Sequence, residues 1–347
     1  MDRSRYVLFC AVLVIFVTLV CCTERVEHST NIQIHYNQTT LSELDHEIAR
    51  SNANERYSAV LRGLRWCVIF FDNDKNFDFT FSNYMTMLDE LTLHSYQDSF
   101  KSIVHTLIQK EFKRVIPRLP KLFEADEDGY EEFISVLPIA YHHQIPIKPF
   151  QEFANGHFAH VNPSDKIQKF KRAAKLLNYE LLTDLVIEAA FINMAYSWKG
   201  DKDFRLPPNG YQVIMALCAA IPFLHNYKSE KYHDQNYYAT HVLLALSHYG
   251  QKPLKPSITG DKVFFYLAGQ YNRIRYQVGD LDLLSECLYC FKQFAPMNVE
   301  FIAEGERYII SQQHEDGSWG TSDDFKGDPY DQFHPTWTAI VLLAQEL

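Results

Sequence analysis

Residues 305–319 read Gly305-Glu-Arg-Tyr308-Ile309-Ile-Ser-Gln-Gln313-His-Glu-Asp-Gly317-Ser-Trp319, a stretch that runs from a helical pattern into a glycine-bearing link. Its first half continues an apolar pattern of the i, i+3, i+4 kind, which predicts a helix over 298–313. A Gly- and Pro-bearing link from Asp316 to Pro329 then leads to a last helix over 335–346. Upstream the same period recurs, predicting helices over 55–71, 79–94, 97–113, 130–143, 166–178, 180–197, 209–226, 236–249, 260–275 and 280–294. Strand signals are scarce, since no Asn-Gly or Asp-Gly sits between two alternating apolar runs. The chain therefore reads as all-α. A Pro-bearing break near residues 145–165 divides a helical N-terminal region, 51–160, from a second region, 161–347.

The sequence has 347 residues, with 33 Lys+Arg against 43 Asp+Glu and a formal charge of −10. An acidic chain of this kind is no nucleic-acid binder, because phosphate contacts need a basic surface. With 47% hydrophobic and 22% charged residues it is not a disordered chain either. Residues 6–22 are uncharged, preceded by Arg3 and Arg5 and closed by Glu24 and Arg25. Within 1–23 this reads as a signal anchor, with a cleaved signal peptide as the alternative. Either way the body is expected to be lumenal, extracellular or secreted, with residues 24–50 as a polar stalk. Asn37-Gln-Thr39 is a glycosylation acceptor that agrees with export.

Spaced as Gly-x2-aromatic-aliphatic-x3-Gln-x3-Gly-x-Trp, residues 305–319 resemble the QW motif of the terpenoid cyclases. That resemblance implies an α/α toroid, whole or partial, in which the glutamine bonds a helix end and the tryptophan covers it. The following Asp331-Gln-Phe-His334 is similar to the stretch in which protein prenyltransferase β subunits place a zinc-binding histidine, and His334 holds that position. The Asp-x-Cys pair of those enzymes and the Asp-x-Asp-Asp acid of class II cyclases have no counterpart here, so neither reaction is implied. A nearer likeness, over roughly residues 200–347, is to an uncharacterised bacterial family of toroid-like proteins. It rests on Tyr238-Ala-Thr-His241-Val, Ser247-His-Tyr-Gly250, Asp282-Leu-Leu-Ser-Glu286 and the QW-plus-His334 terminus.

Four of these residues matter on physical grounds as well. His241 interrupts an apolar run, and Asp282 and Glu286, four apart, share one helix face among leucines. Buried charge of that sort is costly unless paired or bound to a metal. His334 precedes Pro335, which suits a first helical turn and would put a histidine, a poor cap, at the cap position. His241, Asp282, Glu286 and His334 are therefore the candidate metal ligands. Two histidines and carboxylates suit zinc or ferrous iron with a position open to substrate. The first expectation is a membrane-linked or secreted, metal-dependent enzyme acting on a small or apolar molecule. The second is a non-catalytic binding module for an apolar, lipid-like ligand, and the third a purely structural helical domain.

Other motifs read as structural. Asp72 to Asp78 starts like a calcium loop, but Phe77 and Asn83 replace the required Gly and Glu, leaving a solvated turn. Cys287-Leu-Tyr-Cys290 sits inside an apolar helical pattern and reads as two core cysteines. His142-His143 and His157-Phe-Ala-His160 read as packed or exposed histidines.

Overall fold

The structure is a computed structural model that describes residues 38–51, 54–95, 97–161, 165–197, 210–252, 254, 257–294 and 299–345. The apolar run at 6–22 and the Asn37 acceptor lie outside these. Among the described residues the chain is all-helical, with no strand. No helix there is long and apolar enough to cross a membrane.

The helices are α1 (38–50), α2 (Glu55–Phe70), α3 (Asp74–His94), α4 (Asp98–Val115), α5 (Leu119–Leu122), α6 (Glu127–His142), α7 (Lys148–His157) and α8 (Lys166–Leu176). They continue as α9 (Tyr179–Ser197), α10 (Gly210–Cys218), α11 (Tyr232–Leu246), α12 (Ile258–Arg273), α13 (Leu281–Phe294), α14 (Val299–Ser311) and α15 (Pro329–Ala344). Side-chain caps start several of them. Asn54 accepts from the Tyr57 amide, Asp126 from Gly129, Asp165 from Gln168 and Ser257 from Gly260, each satisfying an otherwise orphaned N–H.

The expected helices are present, but the one expected over 209–226 ends at Cys218, and the other differences have local causes. The segment from Asp72 to Asp78 is not a free turn: Asn73 caps α3, and Asp74 takes Arg114 and Arg118 at 2.5 and 2.9 Å. Asp78 pairs with Arg118 and Lys121. Within the Pro-bearing break, Pro149 occupies the first turn of α7, and Phe150 anchors that helix in the core. Residues 38–50, expected as part of a stalk, form a helix whose Leu44 is fully buried.

One apolar core runs from Leu44 to Ala344. Helices α3, α6, α9, α11, α13 and α15 each pack on the next, and α15 packs in turn on α3. Helix α4 lies against α3, α8 and α10 against α9, α12 against α11 and α13, and α14 against α13. The last helix is thus held between α13 and the N-terminal α2 and α3.

The stretch at 305–319 fastens that contact. The Gln313 amide donates to the carbonyls of Ala59 in α2 and of Gly317, both at 2.9 Å. Its Oε1 accepts from the Arg62 guanidinium. Trp319 is fully buried, its indole N–H on the Ile309 carbonyl at 2.7 Å and its backbone N–H on Thr336 Oγ1 at 3.0 Å. Gly317 has φ +100°, and a Cβ there would stand 2.4 Å from the Arg62 carbonyl oxygen, so the close approach to α2 requires glycine.

Candidate metal centre

Helices α11, α13 and α15 bring His241, Asp282, Glu286 and His334 together. All four are at least nine-tenths buried. Ligand atoms of Asp282, Glu286 and His334 lie within 4.8 Å of one another, and this group could hold a metal ion. His241 stands beside them, its Nδ1 3.6 Å from Glu286 Oε2.

The local structure shows what holds each residue. Asp280, not Asp282, caps α13, accepting from the amides of Asp282 and Leu283 at 2.9 and 3.0 Å. Asp282 therefore has no capping duty. The expectation that His334 caps the last helix is corrected: Asp328 caps α15, accepting from Tyr330 and Asp331, and Pro329 fills the first turn. Pro335 lies inside the helix. Asp-Pro six residues earlier supplies a better cap and a better first residue than His-Pro.

His334 Nδ1 meets Asp282 Oδ2 at 2.7 Å, and the Tyr237 hydroxyl donates to the same oxygen. Asp282 Oδ1 is buried with no hydrogen-bond partner. Thr240 Oγ1 lies 2.5 Å from Glu286 Oε2. His241 Nδ1 donates to the Tyr237 carbonyl at 2.9 Å. A carbonyl can only accept, so this bond fixes the tautomer and leaves Nε2 with a free lone pair.

The electrostatics follow from burial and charge. Burial opposes ionisation of Asp282, yet the His334 charge and the hydrogen bonds from His334 and Tyr237 hold its pKa below the ordinary value. Burial also opposes charge on His334, but Asp282, with Glu286 behind it, lifts its pKa to about 9. Burial and the Asp282 charge push Glu286 up to about 8. His241, buried and close to His334, falls to about 4 and is neutral at physiological pH.

Two spaces meet at this group. An outer cleft of about 350 Å³ is lined by seven carboxylates, namely Glu180, Asp184, Asp234, Asp280, Asp282, Asp324 and Asp331. Among the described residues no Lys or Arg lines it; Tyr237, Tyr330, His233, His241 and His334 do. An inner cavity of about 40 Å³ is lined by Glu90, Glu286, His241 and His334 together with Leu244, Tyr249, Tyr289, Trp337, Thr338 and Val341. His241 and His334 line both.

Sequence reasoning missed Glu90. It is 6% exposed, accepts from the Trp337 indole at 2.8 Å, and burial pushes its pKa up to about 8. A lone glutamate in a helix carries no signal of a partner 247 residues away. The other motifs are structural. Cys287 and Cys290 are free, buried thiols with raised pKa values. His142 and His143 bond Asp89, and His157 bonds the Phe123 carbonyl at 2.9 Å.

No family model matches the chain, and no curated protein and no solved structure matches it.

Proposed function

We propose that the chain is an α/α-toroid protein, and that it is a metal-dependent enzyme acting on a small molecule admitted through the acidic cleft. The single observation that carries the metal reading is the convergence of three buried ligand side chains within 4.8 Å, one with an orphaned carboxylate oxygen. A buried charged group without a full set of partners is expensive, and a cation removes that cost. The toroid is supported by the closed circuit of contacts from α3 through α6, α9, α11 and α13 to α15 and back to α3.

The carboxylate and imidazole donors fit zinc, manganese or ferrous iron. Such an ion would polarise a carbonyl or lower the pKa of a bound water. The chain's own residues supply the rest. Asp282 orients His334 through Nδ1, the Tyr237 carbonyl orients His241, and Thr240 steadies Glu286. The carboxylate-lined cleft raises the local concentration of cations at its floor. Export, with residues 6–22 as membrane anchor or signal, is part of the proposal and rests on the sequence alone.

A non-catalytic module for an apolar ligand is the second reading, favoured by the Leu244, Tyr249, Tyr289 and Trp337 walls of the inner cavity. Calorimetric titration of chelator-treated protein with Zn²⁺ and Mn²⁺ separates the two. One saturating site per chain, abolished by Glu286→Gln, supports the metal reading. A flat titration overturns it and leaves the binding module.

A further inference from the structure

Four residues facing the inner cavity share one arrangement: each has one polar atom held by a neighbour and carries a second atom able to act as a ligand. His334 uses Nδ1 on Asp282, and His241 uses Nδ1 on the Tyr237 carbonyl. Glu286 uses Oε2 on Thr240, and Glu90 uses Oε2 on the Trp337 indole. His334 Nε2 lies 3.9 Å from Glu286 Oε1, beyond hydrogen-bond distance. All four residues are more than nine-tenths buried, and all four line the same cavity of about 40 Å³.

We propose that the ion sits in this inner cavity, with His241 Nε2, Glu286 Oε1, His334 Nε2 and Glu90 Oε1 as its ligands, and with Asp282 as an orienting carboxylate behind His334. The proposal rests on the metal reading above and changes its ligand set: Glu90 of α3 joins, and Asp282 moves one shell outward. The second-sphere contacts carry the argument. A ligating imidazole characteristically gives its other N–H to a carboxylate or a carbonyl, and both forms are present, on Asp282 and on Tyr237. Volume agrees as well. A water needs roughly 10–15 Å³ of such space, so about 40 Å³ takes an ion and a water or two. Glu90 and His241 both stand outside the group already within 4.8 Å, so both side chains close on the ion by rotation about the bonds that hold their other polar atoms.

This set has a topological consequence. Glu90 comes from an N-terminal helix and the other three from α11, α13 and α15, so the centre would tie the two ends of the chain together. That is the place where α15 already packs on α3.

The test is Co²⁺ binding to the full chain, followed by the visible ligand-field spectrum and by direct titration. Glu90→Gln keeps the Trp337 bond and removes one anionic ligand. It should weaken Co²⁺ by at least tenfold and alter the absorption band, while the metal-free thermal midpoint does not fall. Asp282→Asn should weaken Co²⁺ by roughly 10–100-fold, the range for a second-sphere partner, and leave the spectrum's shape unchanged. Parental affinity and spectrum in Glu90→Gln would overturn the ligand set while sparing the metal reading. An altered band shape in Asp282→Asn would return Asp282 to the coordination sphere. No Co²⁺, Zn²⁺ or Mn²⁺ bound by the parent chain would instead overturn the metal reading itself.

Discussion

His334 Nδ1 lies 2.7 Å from Asp282 Oδ2, both side chains about 10% exposed, although 52 residues separate them in sequence. The contact joins α15 to α13 and gives each residue a reason to be charged in the interior: the carboxylate is held below its usual pKa and the imidazole lifted to about 9.

That coupling sets the pH profile of the metal-free chain. His334 has a raised pKa, so its stabilisation is complete below the ordinary histidine value of about 6.5 and is lost as pH rises through about 9. Asp282 has a depressed pKa, so its contribution is present above about 3.9 and is lost as pH falls through the depressed value. Urea midpoints measured with chelator present should therefore decline between pH 6.5 and 9, and Asp282→Asn should reduce that decline by the share that His334 contributes. An unchanged slope in that variant would contradict the pairing.

Glu90 and Glu286, both raised to about 8, act in the same direction. Each favours folding most fully below the ordinary value of about 4.3, and that advantage is gone once pH has passed about 8. Glu90→Gln should thus make the metal-free chain more stable than the parent at pH 9, by about 1–3 kcal/mol, and no more stable at pH 4. Chemical unfolding at the two pH values checks both signs.

Metal affinity should rise with pH. In the metal-free chain His334, Glu286 and Glu90 hold protons at pH 7, and an ion must displace them. Titration in buffers of different ionisation enthalpy should show roughly two to three protons released per ion at pH 7. Release of none would mean that none of these groups meets the ion.

The clamp at Gln313 is a separate claim. Gln313→Ala strands the Ala59 and Gly317 carbonyls and the Arg62 guanidinium, and should cost about 1–3 kcal/mol. Gly317→Ala should cost at least as much, because it combines φ +100° with a Cβ pressed on the Arg62 backbone. Thermal midpoints should fall by several degrees in both. Neither residue lines either space at the site, so metal stoichiometry should hold.

Much of this was legible in the sequence because helices announce themselves by period and by caps. The Phe, Leu and Val positions of α2, α4, α9 and α13 recur at helical spacing, so their spans were readable to within a few residues. His241, Asp282, Glu286 and His334 were visible for a related reason, as polar interruptions of apolar faces. What escaped depends on tertiary partners. Glu90 looks like an ordinary surface glutamate until Trp337 is placed beside it, and Asp74 and Asp78 look like a loose turn until Arg114 and Arg118 arrive from α4 and the turn after it. His334 looks like a cap because it precedes Pro335, yet Asp328-Pro329 just before it is the stronger start signal and is the one the helix uses.

The central claim is that these buried side chains exist to hold a metal. Elemental analysis of the parent chain, His241→Ala and His334→Ala, purified without added metal and paired with thermal midpoints, tests it most directly. The account predicts one divalent ion per parent chain, loss of that ion in His334→Ala and weakened retention in His241→Ala, with both variants still folded. A parent chain that never holds stoichiometric metal, with both variants merely less stable, would contradict it.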